Sequence, residues 1–84
     1  MTDVTLERTS PEMEYATIVR WFKREGDDVE AGEVLLEVEA DKANQEVVAP
    51  ASGVLEAIHA PAGDEIRVGE VMGTIIERPG SARG

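Results

Sequence analysis

A nine-residue segment occurs twice in this chain, and the repeat limits the fold more than any other feature. Gly26-Asp27-Asp28-Val29-Glu30-Ala31-Gly32-Glu33-Val34 returns as Gly63-Asp64-Glu65-Ile66-Arg67-Val68-Gly69-Glu70-Val71, with five of nine positions identical at an offset of 37 residues. The offset holds outside the segment, carrying Ile18 onto Leu55, Trp21 onto Ile58 and Val38 onto Ile75. Two copies are too few for a solenoid, which needs about three stacked units. Two half-domains that each fail to bury their apolar residues can instead pair about a pseudo-two-fold axis. The inward positions shared by the halves are then Val34/Val71, Leu36/Gly73 and Val38/Ile75, spaced as on a half-buried strand.

Each half reads as strand. Helical periodicity is weak, and the best helical window, Met13 to Glu25, is β-branched and aromatic from Thr17 to Phe22, which favours extended structure. Apolar runs fall at Val4–Leu6, Thr17–Phe22, Val34–Val38, Glu46–Ala49, Val54–Ile58 and Val71–Ile76. Turn-forming residues separate them at Gly26-Asp27-Asp28, Ala31-Gly32, Pro50 to Gly53, Pro61 to Asp64 and Val68-Gly69. Many short strands with this punctuation predict an all-β fold. Combined with the repeat, they predict a flattened barrel or sandwich of two small antiparallel sheets. One domain over residues 1–78 is expected, with 79–84 (Pro-Gly-Ser-Ala-Arg-Gly) as a disordered tail or the start of a linker.

Size and charge narrow the function. A chain of 84 residues leaves little room for a cleft holding a catalytic set beside a substrate pocket, which favours a carrier or binding module over an enzyme. The formal net charge of −10 argues against nucleic acid, because no basic patch is visible to bind phosphates. No apolar run approaches the roughly 18 residues of a membrane span. The Met1-Thr2-Asp3-Val4 start lacks the basic and apolar regions of a signal peptide. The chain has no cysteine, so nothing indicates a secreted, disulfide-bridged scaffold. A cytoplasmic setting is expected, or the mitochondrial matrix if the domain comes from a longer eukaryotic protein.

The repeat gives Lys42 a position. It lies just past the first half, where the chain turns back into Gln45–Ala49, so it belongs on an exposed hairpin tip. Its counterpart at the 37-residue offset is Pro79, where the chain leaves the fold. The pseudo-two-fold therefore predicts that the lysine and the exit lie at opposite ends, as a mobile carrier requires.

The residues around Lys42 carry a resemblance. Glu39-Ala40-Asp41-Lys42-Ala43 resembles the Glu-Thr-Asp-Lys-Ala signature of the biotinyl/lipoyl attachment family, specifically the lipoyl domains of 2-oxo acid dehydrogenase acyltransferase components. The resemblance runs over roughly residues 4 to 77 and includes Ile18-Val19-Arg20-Trp21, Gly26-Asp27, Gly32 and Ala49-Pro50 through Gly53-Val54-Leu55. It implies lipoate in amide linkage to Lys42, attached by a lipoate ligase or lipoyl transferase. It implies recognition by that enzyme through Glu39, Asp41 and Ala43, and through Gly26 and Gly53. Physically, the glycines permit unusual backbone angles or close strand approach. The implied partners are a thiamine-dependent 2-oxo acid decarboxylase, an acyltransferase core and dihydrolipoamide dehydrogenase. The domain itself would be non-catalytic, whether free or part of an acyltransferase.

Biotin is the nearest rival, but biotin carriers place methionines beside the lysine, where this chain has Asp41 and Ala43. An unmodified interaction module with the same fold is the alternative from another class. Residues 7–16 depart from the family: Tyr15-Ala16 replaces the usual Glu-Gly, and Ala16 is the repeat partner of Gly53. This stretch is a surface loop near the lysine in relatives, so the partner enzyme is left open. His59, the single histidine, reads as a solvent or packing residue. No metal or catalytic set is expected, and Trp21 and Phe22 read as packing.

Overall fold

The computed structural model describes residues 1–77, and every regular element in them is a strand. These are β1 (Thr2–Thr5), β2 (Tyr15–Trp21), β3 (Asp28–Val29), β4 (Val34–Ala40), β5 (Ala43–Val48), β6 (Gly53–Ile58), β7 (Glu65–Arg67) and β8 (Val71–Glu77). They form two four-stranded antiparallel sheets ordered β1-β8-β6-β3 and β5-β4-β2-β7. The expected tail at 79–84 and the counterpart Pro79 lie outside the described residues.

The pseudo-two-fold is written into the hydrogen bonds. Gly26 N donates to Leu55 O at 2.7 Å, and its repeat partner Gly63 N donates to Ile18 O at 2.8 Å. Phe22 N to Leu35 O (2.8 Å) is matched by His59 N to Met72 O (2.9 Å). Glu33 N to Glu30 O (2.9 Å) is matched by Glu70 N to Arg67 O (3.0 Å). The glycines of the repeat take equivalent left-handed angles, with φ of 94° and 96° at Gly26 and Gly63 and 89° and 93° at Gly32 and Gly69. Those angles are costly for a residue with a Cβ, so glycine stands at each turn.

The symmetry also explains two departures from the expected strands. β3 and β7 lie outside the expected apolar runs, and they are repeat partners of each other. β3 begins within the Gly26-Asp27-Asp28 signal, and β7 lies between the Pro61 to Asp64 and Val68-Gly69 signals. Each is a short edge strand, β3 pairing with β6 and β7 with β2. The predicted inward set also needs correction: Leu36, Val38, Gly73 and Ile75 are buried, but Val34 is only half-buried and Val71 is exposed. The cause is a pair of symmetry-related irregularities. The β4–β5 register skips Leu35 and the β8–β1 register skips Met72. Each bulge breaks the two-residue alternation and turns the extra residue inward, so Leu35 and Met72 are fully buried.

Between the sheets lies a single apolar core built on Val4, Ile18, Leu35, Leu36, Val38, Leu55, Met72 and Ile75. Met13 joins it from the long β1–β2 connection, pinning that loop to the body. Trp21 packs at the margin and donates Nε1 to Ala60 O at 2.8 Å, while Phe22 stays exposed under the guanidinium of Arg20. Packing thus accounts for Trp21 but not for Phe22. His59 lies just past β6, with Nε2 2.8 Å from the hydroxyl of buried Thr74.

Candidate functional site

The β4–β5 hairpin turns on two residues, Asp41 and Lys42, between the paired Ala40 and Ala43. Both have positive φ, 53° and 64°. Positive φ at both central positions is the signature of a type I′ turn, whose twist matches that of the strands it joins. Asn-Gly is the sequence such a turn prefers, and a lysine in the left-handed region is uncommon. The turn is therefore occupied by a residue that its backbone does not favour.

The pairing of the hairpin with its neighbouring strand stops short of this turn. β2 pairs with β4 as far as Thr17–Glu39, whereas the symmetry-related β6–β8 ladder continues to Gly53–Glu77. The difference is Ala16 in the place of Gly53. A Cβ at Gly53 would overlap the carbonyl oxygen of Ile76 and come within 2.9 Å of Glu77 Cα; at Ala16 the Cβ is present and the strands do not pair. The last hairpin pair, Ala40–Ala43, and its turn consequently stand beyond the β2–β4 ladder as a short two-stranded ribbon. Asp41, Lys42 and Ala43 are exposed there, and Ala40 is buried beneath them. Among the described residues no hydrogen bond or ion pair engages the Lys42 amine.

One side of the ribbon is braced by the β1–β2 loop. Thr9 Oγ1 donates to Gln45 Oε1 at 3.0 Å, and Ser10 Oγ approaches Asp41 Oδ2 at 3.4 Å. The loop holds its own shape: the Arg8 guanidinium donates to Pro11 O (3.1 Å) and Met13 O (2.8 Å), and Thr9 leans on the Met13 sulfur. Thr9, Ser10 and Gln45 were not singled out from the sequence, because a loop-to-hairpin contact across 31 to 36 residues leaves no local pattern.

Of the expected site residues, the hairpin brings together Glu39, Asp41, Lys42 and Ala43. Gly53 opens β6 in the other sheet, where it faces Val29 of β3, and Gly26 lies in the turn just before β3, its N bonding Leu55 O. Their structural roles differ as the chemistry of glycine allows: Gly26 supplies a left-handed angle in open space, and Gly53 a close strand approach. Among the described residues no group of three or more His, Cys, Asp or Glu side chains could hold a metal ion, and no helix is long and apolar enough to cross a membrane.

Such a fold, with an exposed lysine at a left-handed turn beyond the β2–β4 ladder, defines a small all-β domain that presents an amine on a hairpin tip. Sequence and structure comparisons agree. The family model described as "Biotin-requiring enzyme" matches residues 2–75. A dihydrolipoyllysine-residue succinyltransferase component of the 2-oxoglutarate dehydrogenase complex from Bacillus subtilis is 42% identical over 82 residues, covering 98% of this chain and 20% of that protein. A mitochondrial dihydrolipoyllysine-residue acetyltransferase component 2 of the pyruvate dehydrogenase complex from Arabidopsis thaliana is 43% identical over 76 residues, covering 89% and 14%. The solution structure of the lipoyl domain of the 2-oxoglutarate dehydrogenase complex from Azotobacter vinelandii superposes with a TM-score of 0.73 at 32% identity, covering 90% of this chain and 98% of that one. The chain belongs to the biotinyl/lipoyl attachment family and, within it, to the lipoyl domains of the kind found in 2-oxo acid dehydrogenase acyltransferase components. It spans no more than about a fifth of the length of these curated relatives.

Proposed function

We propose that Lys42 carries lipoate in amide linkage and that the domain is the swinging-arm carrier of a 2-oxo acid dehydrogenase complex. The observation that carries this reading is the turn itself: an exposed, unpaired lysine in a left-handed conformation that favours glycine. Functional positions are where such backbone strain is expected to persist. Asp41 and Ala43 beside it support lipoate over biotin, although the family model spans both groups.

The chain's own contribution is presentation. Loading joins the lipoyl carboxyl carbon to Nζ with loss of water and of the ammonium charge, taking the domain from −10 to one charge more negative. The acid must arrive activated, because nothing at the turn removes a proton from the amine or activates a carboxylate. A lipoate ligase or lipoyl transferase would do both, reading Glu39, Asp41 and Ala43 on the ribbon and the backbone shape that Gly26 and Gly53 maintain. Once bound, the dithiolane supplies the redox and acyl-transfer chemistry. The domain raises its effective concentration at each partner site by tethering. Those sites would be a thiamine-dependent decarboxylase, an acyltransferase core and dihydrolipoamide dehydrogenase, in a bacterial cytoplasm or mitochondrial matrix.

Intact-mass spectrometry after co-expression with a lipoylating system tests the assignment. One lipoyl increment is expected on the wild-type chain and none on Lys42→Arg. Addition to the arginine variant would overturn the site, a biotin increment would overturn the cofactor, and an unmodified chain would leave an interaction module as the better reading.

A further inference from the structure

The sandwich is open on one side. β1 is the edge of one sheet and β5 the edge of the other, and the pseudo-two-fold relates them: Val4 faces Gly73 as Val47 faces Leu36, and Asp3 faces Thr74 as Glu46 faces Glu37. Between these edges runs a groove of about 300 Å³ that starts at Thr9 and Gln45, beside the Lys42 hairpin, and ends at Pro50. Its floor is apolar, with Val4 and Leu6 buried, Val47 half-buried and Val48 half exposed at 48%. Its rims carry Asp3, Glu7 and Glu46, and among the described residues neither lysine nor arginine lines it.

Both edges also present backbone. Ala49 N donates to Glu33 O and Ala49 O accepts from Gly32 N, so Ala49 turns its peptide groups towards β4; Leu6 does the same with Glu70 and Gly69 on the β8 side. Alternation along an antiparallel strand then turns the peptide groups of Glu46 and Val48, and of Asp3 and Thr5, away from their sheets. Edge groups of this kind are templates for an added strand.

We infer that this groove docks an extended, basic segment of a partner protein, which adds as a strand with apolar side chains on the floor and cationic ones towards Asp3, Glu7 and Glu46. Charge selects this occupant. A second copy of the chain, at −10, would bring carboxylates onto carboxylates, and like charges across an interface are unfavourable. A strand seated here lies directly beside the Thr9–Gln45 contact that braces the ribbon, so docking orients the lysine end towards the partner. The inference makes no use of the amine and stands whether or not Lys42 is loaded.

The test uses the unmodified chain, ¹⁵N-labelled, titrated with a capped hexapeptide alternating valine with arginine. Amide shifts concentrated at residues 3–7 and 45–50 are expected, with binding weakened about tenfold between low and high salt and at least fivefold by Glu46→Arg (about 1 kcal/mol). Three controls accompany it: the same peptide with glutamate for arginine, one with proline at alternate positions, and the labelled chain diluted alone. Equal binding of the glutamate peptide would overturn the charge argument, and equal binding of the proline peptide would overturn strand addition. Concentration-dependent shifts of the free chain at these residues would assign the groove to a second copy instead. Glu46→Arg lies on an exposed edge, and its own spectrum shows whether it is folded.

Discussion

At the scale of single residues, the turn sets a stability preference against the role proposed for its lysine. Lys42 occupies a left-handed conformation, φ 64°, that costs an L-residue about 1 kcal/mol or more. Glycine would escape that cost, though its freer unfolded chain returns part of the gain. Lys42→Gly is therefore expected to raise unfolding stability by about 0.5 kcal/mol, read as a higher urea midpoint with unchanged slope, while losing the amine that a ligase would load. A loss exceeding about 1 kcal/mol would show that the lysine holds the hairpin together, and would remove strain as the mark of its function. The place of this residue on an exposed turn was legible in the sequence, because the repeat puts it at a bend. Its left-handed angle was not, since lysine has no tendency to adopt one. Thr9 and Ser10 were equally silent: their meaning comes only from the strand they touch.

Elements were legible where apolar and β-branched residues run together between turn signals, as in β2, β4, β6 and β8. β3 and β7 are two and three residues long, too short to show a period, and only the fold's symmetry identifies them. The bulges at Leu35 and Met72 defeated the alternation rule for the same reason, being decided by pairing across strands. The turn before β4 is held by electrostatics as well as by glycine. Lys23 Nζ donates to Glu33 Oε2 at 2.8 Å, and the second oxygen of that carboxylate accepts from Glu30 N at 3.0 Å. The hydrogen bond from Lys23, then that from the Glu30 amide, hold the Glu33 pKa below its ordinary 4.5, and the bond to Glu33 raises that of Lys23 above 10.5. A depressed carboxylate contributes stability above its unfolded pKa and loses it as pH falls through the folded value. The Glu33 contribution should thus be complete above pH 4.5 and vanish in more acid solution. The Lys23 contribution should be complete below pH 10.5 and vanish as pH rises past the raised folded value. The contact is largely open to solvent, with both side chains only half-buried, so the effect is small. Urea midpoints of wild type and Glu33→Gln should differ near neutrality and converge in acid, and a gap that persists at about pH 3 would show that the carboxylate acts by packing and not by charge.

For the whole molecule, the repeat predicts two matched halves, but the strand pairing shows that they are not two units. Of the six ladders, β2–β4 and β6–β8 stay within a half, whereas β1–β8, β2–β7, β3–β6 and β4–β5 join the first half to the second. The core is divided likewise, with Val4, Ile18, Leu36 and Val38 from one half closing on Leu55, Met72 and Ile75 from the other. A half alone would keep one two-stranded pair with an exposed apolar face, and such a pair is marginal in water. Cutting the chain between Asp41 and Lys42, at the turn, removes only the β4–β5 connection. Residues 1–41 and 42–84 are expected to be unfolded separately, with collapsed amide dispersion, and to recover a dispersed β spectrum when mixed in equal amounts. A dispersed spectrum and cooperative melting for either fragment alone would mean that each half folds by itself. The symmetry would then reflect two joined units, and the hairpin carrying Lys42 would be a linker between them instead of the turn of a shared sheet. If the halves fold only together, each end of the domain is fixed by strands from both, so the position of the lysine is set by the entire core and not by the hairpin alone.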